Sequence, residues 1–129
     1  MGVRMIGNNT QIFCDTNILI YLLNGDKRVS EVLQNMDIKI SFITELELFC
    51  KPNLTKSKSL IIQNLVSQCT VIEMNSIIKQ KTIEIKQSHK IKLPDAIIAA
   101  SAISLSLPIF TADGNFEKIP QLNLISFQI

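Results

Sequence analysis

Short apolar runs, each too brief to be a buried helix, alternate along this chain with segments of helical period, and that alternation leaves few folds open. Ile12-Phe13-Cys14 stops at Asp15-Thr16-Asn17, and Ile18 to Leu23 then stays apolar up to Asn24-Gly25, which reads as strand, helix and turn. Val29, Val32, Leu33 and Met36 recur at i, i+3, i+4 and i+7, the period of an amphipathic helix. Ile38, Ile40 and Phe42 alternate with Lys39 and Ser41 as a second strand, and Thr44 is placed to open a short helix through Phe49, ended by Pro52. Leu60, Ile61, Leu65 and Val66 mark a further helix, Thr70-Val71-Ile72 a third strand, and a lysine-rich helix follows from about Asn75 to Ser88. Pro94 begins the next helix, apolar on nearly every side from Ala96 to Ala102, as a helix packed inside a domain would be. Pro108 to Thr111 is a fourth strand and Leu122 to Phe127 a fifth. Short strands joined by helices imply neighbours that run parallel, because a parallel pair needs a crossover between its members. The expected fold is therefore α/β: a central, mostly parallel sheet of about five strands between helical layers, in a single domain spanning residues 1–129.

In an open sheet of this kind ligands collect beyond the carboxyl ends of the strands. Asp15 directly follows the first strand, Glu47 lies about one turn beyond the second, and Asp113 comes just after the fourth. Asp95 sits in the first turn of the apolar helix that leads into the fourth strand, which turns it toward the same edge. Each acid has a local explanation. Asp15 could cap a helix, Thr44 and Glu47 have the spacing of a capping box, Asp95 complements a helix dipole, and Asp113-Gly114 suits a turn. Caps and turns, however, occur at both ends of strands and do not predict four acids at one edge. Carboxylates gathered in a partly desolvated cleft repel one another by several kcal/mol, of order, unless a cation or a retained proton relieves them. An all-oxygen donor set without Cys or His suits Mg²⁺ or Mn²⁺ better than Zn²⁺, and phosphodiester hydrolysis is the chemistry those ions serve.

Four stretches carry a family resemblance: Cys14-Asp15-Thr16-Asn17-Ile-Leu-Ile-Tyr; Ile40-Ser41-Phe-Ile-Thr44-Glu-Leu-Glu47; Leu93-Pro94-Asp95-Ala96-Ile-Ile-Ala-Ala; and Ile109-Phe110-Thr111-Ala-Asp113. Together they resemble the motifs of PIN domains, in the usual order and across nearly the whole chain. The resemblance implies a PIN-like three-layer α/β/α sandwich and a Mg²⁺- or Mn²⁺-dependent ribonuclease acting on RNA. At this length it further implies the VapC-like toxin half of a type II toxin–antitoxin pair: a homodimer held inactive by a VapB-like antitoxin. Carried over by position, Asp15, Glu47, Asp95 and Asp113 are the catalytic, metal-binding acids, and Asn17 and Thr111 support them by hydrogen bonding. Many relatives have a further acid just before the aromatic of the last motif, where this chain has Asn115-Phe116, which leaves the fourth position to Asp113. Glu45 is read as a solvated neighbour of Glu47.

Other features narrow the choice. A net charge of +2 is too small to argue for nucleic-acid binding by itself, and the lysines around Lys51, Lys56 and Lys58 and from Lys79 to Lys92 read first as solvated helix faces. Three cysteines, Cys14, Cys50 and Cys69, form an odd set without CxxC spacing, so buried free thiols and a reducing cytoplasm are expected. The segment Ala96 to Leu107 is shorter than the roughly 20 residues of a membrane span. Met1 to Gln11 lacks the apolar centre of a signal peptide, and Met5 is a possible native start. His89 reads as a surface residue beside Lys90, and no Gly-rich phosphate loop can be built from four glycines. Three other readings compete: a PIN-like housekeeping nuclease with the same chemistry, a receiver-like domain, and a degenerate PIN-like binding module. The receiver reading wants an acidic pair after the first strand and a lysine after the last, and neither is present; the retained acids speak against the degenerate module.

Overall fold

The computed structural model describes residues 10–128; the readings placed on the extreme amino terminus, including Met5 as a start, lie outside the described residues. The order of elements is β1 (Gln11–Cys14), α1 (Thr16–Leu23), α2 (Lys27–Leu33), β2 (Asp37–Ser41), α3 (Phe42–Phe49), α4 (Lys56–Ser67), β3 (Thr70–Ile72), α5 (Ser76–Ser88), α6 (Leu93–Ser104), β4 (Ile109–Thr111), a 3₁₀ turn (Gly114–Lys118) and β5 (Leu124–Ser126). The five strands form one sheet in the order β3-β2-β1-β4-β5. Every pairing is parallel, so the sheet is fully rather than mostly parallel.

Strand pleating explains the layers. In β1 the side chain of Phe13 joins a core with Ile78, Ile85, Ala96, Ala99 and Ile109, where α5 and α6 cover the sheet. Ile12 and Cys14 point the other way, into a core with Ile18, Leu19, Val29, Leu48 and Phe110 under α1 to α4. Helices thus cover both faces of a sheet whose central strands are apolar on both sides, as a parallel sheet requires. Each fully buried Phe or Ile contributes roughly 1.5–3 kcal/mol of transfer energy. Every residue from Ala96 to Ala102 in α6 is buried, as the unbroken apolar run predicts. At the end of α1, Gly25 takes φ +84°, a conformation that a side chain would resist, and turns the chain into α2.

One local reading is corrected and one is refined. The helix after β2 starts at Phe42, not Thr44: Ser41 is its N-cap, its Oγ accepting from the Ile43 amide at 3.0 Å. The Thr44/Glu47 capping box therefore does not form. In α4 the inward residues are Ile62 and Val66, while Leu60 and Ile61 are 60% and 57% exposed. Of the cysteines, Cys14 is buried, Cys69 half-buried and Cys50 exposed, so burial holds fully for one of the three.

The topology selects the site. From β1 the chain winds outward through β2 to β3, then crosses back by α5 and α6 to β4 on the other side of β1. The direction of winding reverses between β1 and β4, which opens a crevice at their carboxyl ends.

Candidate functional site

Asp15 stands at the mouth of that crevice. Its amide donates to the Phe110 carbonyl at 3.2 Å, extending the β1–β4 ladder by one residue beyond the strand. Its side chain is 4% exposed and doubly engaged: Oδ1 caps α1 by accepting from the Ile18 amide at 3.1 Å, and Oδ2 accepts from the Thr111 hydroxyl. The Thr111 oxygen in turn accepts from the Asp113 amide at 2.9 Å. One threonine at the end of β4 therefore fixes both the rotamer of Asp15 and the path of the chain into Asp113. Asp113 caps the 3₁₀ turn, accepting from the Asn115 amide at 2.9 Å. Capping and site-building coexist at Asp15 and Asp113; the local explanation of each is correct and incomplete.

Glu47 reaches the same place from α3. Because that helix begins at Phe42, Glu47 falls in its second turn and has no N-terminal capping duty; its Oε1 accepts from the Thr16 hydroxyl at 2.5 Å. Thr16 also lies 2.9 Å from the hydroxyl of Thr44, which is fully buried, so the two threonines couple α1 to α3 across the crevice. Asp95 projects from the first turn of α6, whose N-cap, Lys92, supplies no side-chain hydrogen bond.

Asp15, Glu47, Asp95 and Asp113 all line one cleft of about 230 Å³, together with Thr16, Asn17, Ile20, Lys51 and Ile98. Among the described residues the ion pairs use Asp26, Asp37 and Glu84, so none of the four cleft acids has a paired cation within 4.0 Å. The electrostatic consequence is visible at two of them. Burial, countered by the Thr111 and Ile18 hydrogen bonds and reinforced by the charges of Asp113 and Asp95, pushes Asp15 up to about 6. Burial and the charges of Asp113 and Glu47 raise Asp95, with Lys92 acting in the opposite direction.

The chemistry of this donor set fits a hard divalent cation: four carboxylates, no thiolate, no imidazole. As they stand, no group of three or more His, Cys, Asp or Glu side chains among the described residues is arranged to hold an ion. Glu47 has an oxygen committed to Thr16 and Asp113 one committed to Asn115. Enclosing an ion therefore requires rotation of these side chains, which is easiest for Glu47, a long side chain on an exposed residue.

Of the residues expected in support, Thr111 bonds as described, but Asn17 does not. Asn17 lines the cleft as an exposed residue of the first turn of α1, and its side chain makes no hydrogen bond to the acids among the described residues. Thr16 takes that part instead. Glu45 is half-buried and lies outside the cleft lining. Lys51, read from the sequence only as one of a lysine group, is the one cation among the cleft-lining residues. No local signal marks it: α3 ends at Phe49 and Lys51 lies in the segment beyond, so only the folded path of the chain brings it to the cleft.

Comparisons with known proteins bear on the fold and the family. No curated protein sequence matches the chain. Among solved structures, a toxin–antitoxin complex from Klebsiella pneumoniae contains a chain 28% identical to this one, with a TM-score of 0.80 over 92% of this chain and 99% of that one. VapBC-1 from nontypeable Haemophilus influenzae is similar at 29% identity, TM-score 0.72, over 91% and 98% of the two chains. VapBC2 from Rickettsia felis, bound to a DNA fragment from its promoter, shares the fold at 23% identity and TM-score 0.77, over 92% and 100%. The family model of the PIN domain matches residues 12–122, a span that holds both flanks of the crevice and all four cleft acids, and the chain belongs to the PIN domain family.

Proposed function

We propose that this protein is a Mg²⁺- or Mn²⁺-dependent endoribonuclease, and that it serves as the toxin of a type II toxin–antitoxin pair. The observation that carries the nuclease reading is the convergence of Asp15, Glu47, Asp95 and Asp113, unpaired by any cation, on the crevice between β1 and β4. Those four acids would hold the metal. The chemistry such an ion supplies when bound is activation of the attacking water and neutralisation of charge on the leaving oxygen. The chain's own residues do the rest. Thr111 locks Asp15 in one rotamer, Thr16 orients Glu47, and Lys51 offers a positive charge to a phosphate entering from the α3 side. The burial of Asp15 shields that carboxylate from bulk water, so its charge acts strongly on a bound ion.

The toxin reading rests on the relatives at 28% and 29% identity, which come from toxin–antitoxin assemblies, and on this chain's covering almost the whole of each matched chain. A cluster of carboxylates is also a receptor for a guanidinium group, which pairs with carboxylate in bidentate fashion. A VapB-like antitoxin would thus inhibit by placing an arginine among the acids, with the toxin a homodimer in the cytoplasm. Among the described residues no helix is long and apolar enough to cross a membrane.

Expression of the chain alone in bacteria tests both parts. Growth should stop within a few generations, and Asp15→Asn should relieve the arrest while lowering Mn²⁺-dependent RNA cleavage in vitro by at least about a hundredfold. Cleavage without growth arrest would make this a housekeeping nuclease. Soluble protein that neither cuts RNA nor slows growth would refute the assignment.

A further inference from the structure

Next to the acid cleft lies a second pocket of about 520 Å³, lined by Lys86, His89, Lys90, Ile91, Lys92, Asn115 and Lys118. It contains four lysines and no acid, in a chain whose net charge is only +2. Two of the lysines are pinned to the loop between α5 and α6: Lys86 Nζ donates to the Ile91 carbonyl at 2.7 Å and Lys118 Nζ to the Lys90 carbonyl at 3.3 Å. Their charge is therefore held over that loop with no carboxylate among the described residues within 4.0 Å, while Lys90 and Lys92 are exposed and their ammonium groups have no hydrogen-bond partner among those residues. A shared solvated face of one helix would not do this, because the four come from α5, the following loop and the 3₁₀ turn after β4.

The pocket and the cleft share no lining residue, but two short strips of chain link them. From Lys92 the backbone runs through Pro94 to Asp95, and from Asn115 through Gly114 to Asp113. Lys92 is close enough to act on the charge of Asp95.

Resting on the nuclease reading, we propose that this pocket is a phosphate-backbone subsite, in which Lys86, Lys90, Lys92 and Lys118 hold the RNA strand next to the bond cut at the acids. The physical need is specific. Four carboxylates repel a polyanion, so a strand must be held from outside the cleft for one phosphodiester to enter it. Lys51 is a single cation within the cleft, and the four exposed lysines supply the wider hold beside it. Charge carries no base information, so the subsite positions the strand without selecting its sequence. Asn115, at the boundary, offers the amide donors and acceptor that could read a neighbouring base edge.

The test uses the full chain and a fluorescein-labelled single-stranded RNA in EDTA, so that binding is read apart from cleavage. Fluorescence anisotropy across a salt series gives the dependence of the association constant on salt. The double variant Lys90→Gln/Lys92→Gln should bind more weakly, and its log–log salt slope should be shallower by about 1.4, at about 0.7 per phosphate contact. A charge-matched control, Lys56→Gln/Lys79→Gln on exposed positions of α4 and α5, should keep the wild-type slope. With Mn²⁺ present, the pocket variant should raise KM and leave kcat nearly unchanged, as a positioning surface would. If the wild type cuts RNA but the two double variants show the same slope, the subsite is wrong and the nuclease reading stands. If the wild type neither binds nor cuts RNA, both fall. Competition by polyglutamate that matches RNA on the wild type and disappears in the pocket variant would assign the pocket to an acidic protein and overturn the proposal.

Discussion

The acid cleft and the lysine pocket are linked by residues 92–95 and 113–115, yet the first gathers like charge around a buried carboxylate and the second gathers it at the surface. The difference is one of solvent. Exposed lysines are screened within a Debye length of about 8–10 Å and cost the fold little. Asp15, 4% exposed, is not screened, and its carboxyl is pushed up to about 6. The cleft thus gathers charge that a cation would relieve, with Asp15 fixed by its two hydrogen bonds and Glu47 having to turn toward an ion, whereas the pocket is a relaxed surface. Stability lost in metal-free protein should trace to the cleft and barely at all to the lysines.

The largest effect expected is on pH dependence. A carboxyl raised in the folded state favours folding below its ordinary range near 3.8, and that contribution is lost as pH rises through about 6. Metal-free protein should therefore lose on the order of 3 kcal/mol of stability between about pH 4 and pH 7 from Asp15 alone. Asp15→Asn should flatten that slope in urea melts. An unchanged slope would mean that Asp15 is as well solvated as the lysines, and the contrast would disappear. Next in size is Thr111→Val, which removes the hydroxyl shared by Asp15 and the Asp113 amide inside the protein. It should cost about 1–3 kcal/mol and, by loosening two cleft acids at once, lower cleavage by roughly ten- to a hundredfold. A variant as stable and active as wild type would show that the acids hold their places without the threonine. Smallest is the stability of Lys90→Gln/Lys92→Gln, which should stay within about 0.5 kcal/mol of wild type in the same melts. A larger loss would mean that the lysine surface is part of the scaffold.

How much of this was legible before any coordinates varies with distance along the chain. Runs such as Ile12 to Cys14 and Thr70 to Ile72, each followed or preceded by helical period, dictate a parallel sheet, because periodicity and crossover geometry are local properties. The same logic placed Asp15 and Asp113 at one edge. The start of α3 was misread because Phe42 and Ile43 have strand chemistry and Ser41 and Thr44 are both good caps; packing of Thr44 against Thr16, 28 residues away, decides between them. No local pattern announces that contact. Thr16 as the partner of Glu47 was missed for the same reason, and the lysine pocket needs the turn after β4 brought beside α5 before it exists. The exposure of Leu60 and Ile61 is likewise a property of how α4 is rotated on its neighbours, which an apolar count over one helix does not determine.

The claim on which the rest depends is that the four acids form a cation site, and thermal melting with and without Mn²⁺ addresses it without needing the RNA substrate. An ion that binds the folded chain alone raises stability by mass action, about 2.7 kcal/mol at a hundred times its Kd, or on the order of 10 °C in Tm for a chain of this length. Wild type should show that rise. Asp95→Asn, which removes one of the repelling charges, should melt no lower than wild type when metal-free and should lose most of the Mn²⁺-induced shift. The two changes have opposite consequences, so a general loss of fold cannot imitate them. Coincident wild-type curves with and without Mn²⁺, or a full shift retained in Asp95→Asn, would contradict the cation site and reduce the four acids to caps and turns at one edge of a parallel sheet.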